Sequence, residues 1–317
     1  VPRARLRARC SVVDRRVWLA GLASLALGCS RRGCAAGQVA GDVDTSQIRL
    51  HEVSFGPDRG GPQKAAVLVP AWASADARLP LLIALHGRGE ANRGVDVGAW
   101  AWVRDYWLDR CAARLRNPPL RPDDLLGLAT PAYLDRLNGS LGAGPWQGLV
   151  VACPHTPDIL SGDDLDAAAG FADFLADHLI PEVRTRFPVI ATREATGIDG
   201  VSLGGRMALL ASTERPEAFG VVGTLQAAFR IGEVAAVAAR VEQAWREPVH
   251  PRWLRVLTSE EDPFRPTLEM LATALGGGNV NVRYEVVPGP HDYDFNRGPG
   301  GFGMLLWHDR ALRGREA

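Results

Sequence analysis

Thr196-Gly197-Ile198-Asp199-Gly200-Val201-Ser202-Leu203-Gly204-Gly205 is the stretch on which the reading of the fold turns. Residues 196–201 read as a short buried strand, residues 205–213 as a helix, and Ser202 stands between them in a Gly-x-Ser-x-Gly turn. A serine projecting from so sharp a turn needs a strained backbone, and the flanking positions 200 and 204 come too close to neighbouring backbone to tolerate a Cβ. Five residues with three fixed positions recur by chance in a chain of 35 glycines, so the turn needs support from its surroundings.

That support comes from the segments around it. Apolar runs at 81–85, 148–152, 196–201, 221–225, 254–258 and 282–287 alternate with helix-period segments near 169–187, 205–213, 232–246, 266–275 and 301–312. The alternation predicts an α/β fold, a mostly parallel central sheet with helices on both faces, and not a sandwich or a bundle. Runs at 48–55 and 65–69, joined by Gly-Pro turn material, predict an antiparallel entry hairpin. In the helix from Phe171, the residues Phe171, Phe174, Leu175, Leu179 and Val183 share one face, and Pro181 should kink it. The active site of such a sheet lies beyond the carboxyl ends of its strands.

Two regions do not fit the alternation. Residues 90–147 form an irregular insertion holding Trp100, Trp102, Tyr106, Trp107, Tyr133 and Trp146. These aromatics either form a satellite core, the favoured reading, or line a substrate crevice, where Trp100 and Trp146 are the candidates for substrate contact. At the other end, six arginines between Arg3 and Arg16 precede an apolar run at 18–28 too short to span a bilayer, which predicts an export signal over residues 1–29. The ending Leu25-Ala26-Leu27-Gly28-Cys29 is similar to a lipobox, with Cys29 as the residue that would carry lipid and anchor the chain to a membrane. Residues 30–46 read as a flexible tether and 47–317 as the folded domain, giving an exported protein that is periplasmic, held at the cell surface or secreted.

Export permits a Cys111–Cys153 disulfide without requiring one. The cysteines lack metal-ligand spacing. With 36 basic and 36 acidic residues there is no electrostatic case for nucleic acid.

A serine hydroxyl keeps its proton at neutral pH and needs an imidazole to take it. His291, in Gly289-Pro290-His291-Asp292 after the strand 282–287, is the preferred base. His86 and His155 also follow strands and are rivals; both are kept, with Phe295, as candidate substrate residues. A carboxylate must hold the base in the correct tautomer. The loop Glu260-Glu261-Asp262-Pro263 after the strand 254–258 supplies it, with Asp262 preferred to Glu261. Two backbone N–H groups are needed for the developing oxyanion. Leu203, directly after the serine, is one. Arg88, in His86-Gly87-Arg88-Gly89 after the strand 81–85, is the other.

Taken together, the 81–89 segment, the elbow at 200–205, Glu261-Asp262-Pro263 and 288–292 resemble the esterase D / enterochelin esterase-like branch of the α/β-hydrolases, over roughly residues 65–312. The order Ser, Asp, His along the chain is the order of that fold. The resemblance implies a serine carboxylesterase acting through an acyl-enzyme on a small-molecule or carbohydrate ester, saccharide-linked, phenolic or small acyl, without metal or organic cofactor. An acyltransferase or peptidase on the same three residues, and a non-catalytic surface binding protein on this fold, are the alternatives.

Overall fold

A computed structural model describes residues 43–57, 62–160, 164–245, 253–277 and 280–315. The export signal, Cys29 and most of the tether expected from the sequence lie outside the described residues.

Eight strands form one sheet: β1 (Ile48–Phe55), β2 (Gln63–Pro70), β3 (Leu81–Leu85), β4 (Val150–Pro154), β5 (Thr196–Gly200), β6 (Val221–Leu225), β7 (Trp253–Ser259) and β8 (Val282–Val287). Their order is β1-β2-β4-β3-β5-β6-β7-β8. The entry hairpin pairs Ile48 with Pro70 and Phe55 with Gln63, and β2 runs antiparallel to β4; the pairs from β4 onward are parallel. The elbow strand β5 is flanked by β3 and β6, so the loops that follow these three strands converge on Ser202.

Residues of β3, β4, β5 and β6 are buried at every position, because both faces of the sheet are covered. Alternate side chains separate into two cores. Leu81, Ile83 and Leu85 pack with the helices at 169–186, 203–214, 234–244 and 265–276. Leu82 and Ala84 face a second layer made of Trp102, Tyr106, Leu108, Tyr133, Trp146 and the last helix. The aromatic insertion is therefore not a satellite: it covers the second face of the main sheet.

Pro181 does not break its helix. A π turn at Leu175–Leu179 joins Ala169–Phe174 to Ile180–Arg186, a wider turn just ahead of the ring, where an ordinary helix would clash with it. Cys111 and Cys153 are buried free thiols, so the permitted disulfide is not formed. Among the described residues no helix is long and apolar enough to cross a membrane.

Candidate active site

Ser202 sits between β5 and helix α2 (Leu203–Glu214), which follows a short helix α1 (Arg88–Ala91) placed after β3. Its φ of 56° and ψ of −114° lie where a residue with a side chain rarely rests. Val201 N donates to Leu85 O at 3.0 Å and Ser202 N to Leu225 O at 2.9 Å, so the turn is pinned to both flanking strands. The glycines act as the turn requires. A Cβ on Gly200 would stand 2.5 Å from the Gly204 carbonyl carbon, and one on Gly204 would stand 2.2 Å from Leu85 O. Ser202 itself is half-buried at the carboxyl edge of the sheet.

Asp262 and His291 are brought together. Oδ1 of Asp262 lies 2.9 Å from His291 Nδ1 and accepts from Phe264 N at 3.0 Å, while Oδ2 accepts from the Thr258 hydroxyl at 2.5 Å. The carboxylate has no exposed side-chain surface, whereas the imidazole keeps 23% of its own. Glu260 and Glu261 are exposed, so the rival acid points into solvent. The Phe264 ring stands edge-on to His291 with centroids 5.6 Å apart.

Gln226, which the sequence does not single out, joins the His291 loop to the elbow. It has φ 48° and is fully buried, and its Nε2 donates to Pro290 O at 2.9 Å and Ser259 Oγ at 2.6 Å. Its neighbours Leu225 and Ala228 bond the Ser202 backbone on either side, through Ser202 N to Leu225 O and Ala228 N to Ser202 O at 3.0 Å. One loop after β6 thus holds both the serine and the turn before the histidine.

His86 is a packed residue and not a substrate contact or a base. Thr156 N donates to its Nε2 at 2.8 Å, so the proton is on Nδ1, which donates to Gly87 O at 2.9 Å. Burial pushes its pKa down to about 3, so the ring is neutral. His155 lies beside it with the rings tilted and centroids 5.3 Å apart, is buried, and has its pKa lowered by burial. Both departures from the expected roles have one cause: the loops after β3 and β4 close on each other and take these rings out of solvent.

Trp146 and Phe295 are buried in the second core, the latter directly beneath Gly289 of the histidine loop, and have no surface for a substrate. Trp100 is half-buried, with its indole N–H donating to Glu52 on the edge strand β1 at 2.9 Å. It belongs to the packing at that edge.

Arg88 opens α1 and Leu203 opens α2, so both backbone N–H groups belong to the first turn, where a helix leaves donors without internal partners. The Arg88 side chain turns away to pair with Asp158 at 2.8 Å.

Residues 162–260 match the family model described as "Putative esterase". No curated protein matches the chain. Among solved structures, a ferulic acid esterase is similar at a TM-score of 0.61 and 16% identity, covering 84% of this chain and 99% of that one. The S-formylglutathione hydrolase of Staphylococcus aureus is similar at a TM-score of 0.55 and 17% identity, covering 83% and 96%. The enterobactin esterase of Shigella flexneri is similar at 0.53 and 17%, covering 82% of this chain and 60% of its own. At such identities the likeness is one of fold, and the matched segment runs from before the elbow to the start of the Asp262 loop. By that match, residues 162–260 resemble this esterase family, and the fold around them is the α/β-hydrolase fold that the solved esterases share.

Proposed function

We propose that the chain is a serine carboxylesterase in which Ser202 attacks the ester, His291 moves the proton and Asp262 orients the imidazole. The observation that carries the reading is the 2.9 Å contact between His291 Nδ1 and a fully buried, three-fold hydrogen-bonded Asp262. With Nδ1 committed to the carboxylate, Nε2 is the nitrogen left to take the serine proton. As Oγ bonds to the acyl carbon, the carbonyl oxygen gains charge and is met by the N–H groups of Arg88 and Leu203. Collapse of the tetrahedral species expels the alcohol, which receives its proton from His291. Water, activated by the same imidazole, then releases the acid and restores Ser202.

For the substrate, a small-molecule or saccharide-linked ester with a small or phenolic acyl group fits the reading, and the ferulic acid esterase among the similar structures supports the phenolic option. Export through residues 1–29, with or without lipid on Cys29, belongs to the same proposal. The test is hydrolysis of p-nitrophenyl acetate by the intact protein and by Ser202→Ala. The substitution should lower kcat by about six orders of magnitude; a Ser202→Ala protein that still hydrolyses the ester at the wild-type rate removes the triad from the reaction.

A further inference from the structure

Glu90 is a deeply buried acid near the site that the proposed chemistry does not use. Its side chain is 3% exposed. It lies on α1, two residues after Arg88, yet its carboxylate does not face solvent as an acid on a four-residue surface helix would. Tyr106 Oη donates to Oε2 at 2.5 Å and Tyr293 Oη donates to Oε1 at 2.5 Å, while Arg93 stands 3.4 Å from Oε1. Both hydroxyl contacts are in the range of charge-assisted hydrogen bonds.

The two tyrosines lead in different directions. Because Tyr106 gives its proton to Glu90, its oxygen is free to accept, and Gly87 N donates to it at 3.3 Å. Gly87 immediately precedes Arg88, and a Cβ there would lie 3.1 Å from both Tyr106 Oη and Glu90 Oε2 and 3.9 Å from Ser202 Cβ. Tyr293 comes two residues after His291 and opens the short helix α3 (Tyr293–Phe295). A continuous path therefore runs from Gly87 N–H through Tyr106 to Glu90, and from Glu90 through Tyr293 to the histidine loop. It joins segments 203 residues apart in sequence.

Burying a carboxylate is costly unless its lone pairs are met by donors, and an apolar residue would fill the same space without that cost. Here Glu90 itself lies on the segment bearing Arg88, Tyr106 links its carboxylate to the Gly87 N–H, and Tyr293 brings the other donor from the segment bearing His291. We propose that Glu90 is a positioning residue whose carboxylate ties the loop bearing the Arg88 oxyanion donor to the loop bearing His291, holding the two halves of the site in register. The proposal rests on the triad reading above. A glutamine at 90 keeps one acceptor oxygen and puts an NH2 donor in place of the other, so one tyrosine can no longer donate to it and the charge that strengthens both arms is removed.

The experiment compares Glu90→Gln, Tyr293→Phe and the double variant in the intact protein, with kcat for p-nitrophenyl acetate expressed per site titrated by a fluorophosphonate. Tyr293 is 41% exposed and the phenylalanine keeps its ring, so that variant folds even if the buried substitution does not. Each single change should lower kcat per titrated site roughly tenfold, since small misplacement of reacting groups is expensive in rate, with KM held within about twofold. The double variant should be no slower than the worse single one, because both changes cut the same tie. A merely structural role would lower the melting temperature and the number of titratable sites but leave kcat per site alone. Wild-type kcat per site in Tyr293→Phe, or losses that multiply in the double variant, overturns the proposal. Ser202→Ala separates the two readings: if it stays active or no site titrates, the triad itself falls. If it is inactive and Tyr293→Phe is unaffected, only the tie is wrong.

Discussion

Asp262 receives three hydrogen bonds and has no exposed side-chain surface, so the electrostatic field it imposes on His291 is fixed in direction and little screened. An amide at this position can present an N–H to Nδ1 and stabilise the wrong tautomer. Asp262→Asn should lower kcat by about four orders of magnitude, whereas Glu261→Gln, on an exposed side chain, should stay within about twofold of wild type; ester hydrolysis rates of the two purified variants check this, and a reversed pattern would assign the acid to Glu261. Ser202, Asp262 and His291 could be nominated from the chain because each follows a recognisable strand and the serine sits in a constrained turn. Glu90, Gln226 and Thr258 carry no such local signature. Their importance comes from partners distant along the chain, such as Tyr293 for Glu90 and Pro290 for Gln226, and nothing in their neighbours announces those contacts. His86 and His155 failed as candidates for the same reason, since a position after a strand does not reveal whether a loop will close over it.

At the level of elements, the elbow is where backbone sterics and chemistry meet most tightly. Gly204→Ala would drive a methyl to 2.2 Å from Leu85 O, a backbone atom of a central strand that cannot swing aside. The cost should be at the upper end of the overpacking range, about 3 kcal/mol or more, with activity lost in the fraction that still folds. Denaturant titration measures it; a stability within about 0.5 kcal/mol of wild type would contradict the close packing of the turn. The strands were legible, their bounds falling within two residues of expectation, because continuous apolar runs such as Leu81–Leu85 admit few other uses in a sheet covered on both faces. The short helices between Arg88 and Arg104 were not. Four-residue helices have too few positions to show a period, and theirs are set by tertiary contacts such as Tyr106 against Trp102.

For the whole molecule, the sheet divides the core in two, and the aromatic insertion supplies the layer that the second face would otherwise lack. That closure also buries histidines. His86 is held at about pKa 3 by burial, and burial lowers His308, on the last helix beneath the elbow strand, from its ordinary value as well. His86 is neutral in the folded protein while the unfolded chain takes up protons near pH 6.5. The unfolded state then binds more protons below that pH, so stability falls as pH falls. His86 alone contributes a slope of about 1.4 kcal/mol per pH unit between about 6.5 and 3. Unfolding free energies measured from pH 7 to 5 should decline accordingly, and less steeply in His86→Asn; a pH-independent stability across that window would show that the ring is solvated.

Every step proposed for the reaction depends on one activated hydroxyl at the turn between β5 and α2. Treatment of the intact protein with a fluorophosphonate, followed by peptide mapping, interrogates that hydroxyl directly. The expected result is a single adduct on Ser202 that is strongly slowed in Asp262→Asn, and the contradictory result is no adduct at Ser202 under conditions where the protein hydrolyses an ester.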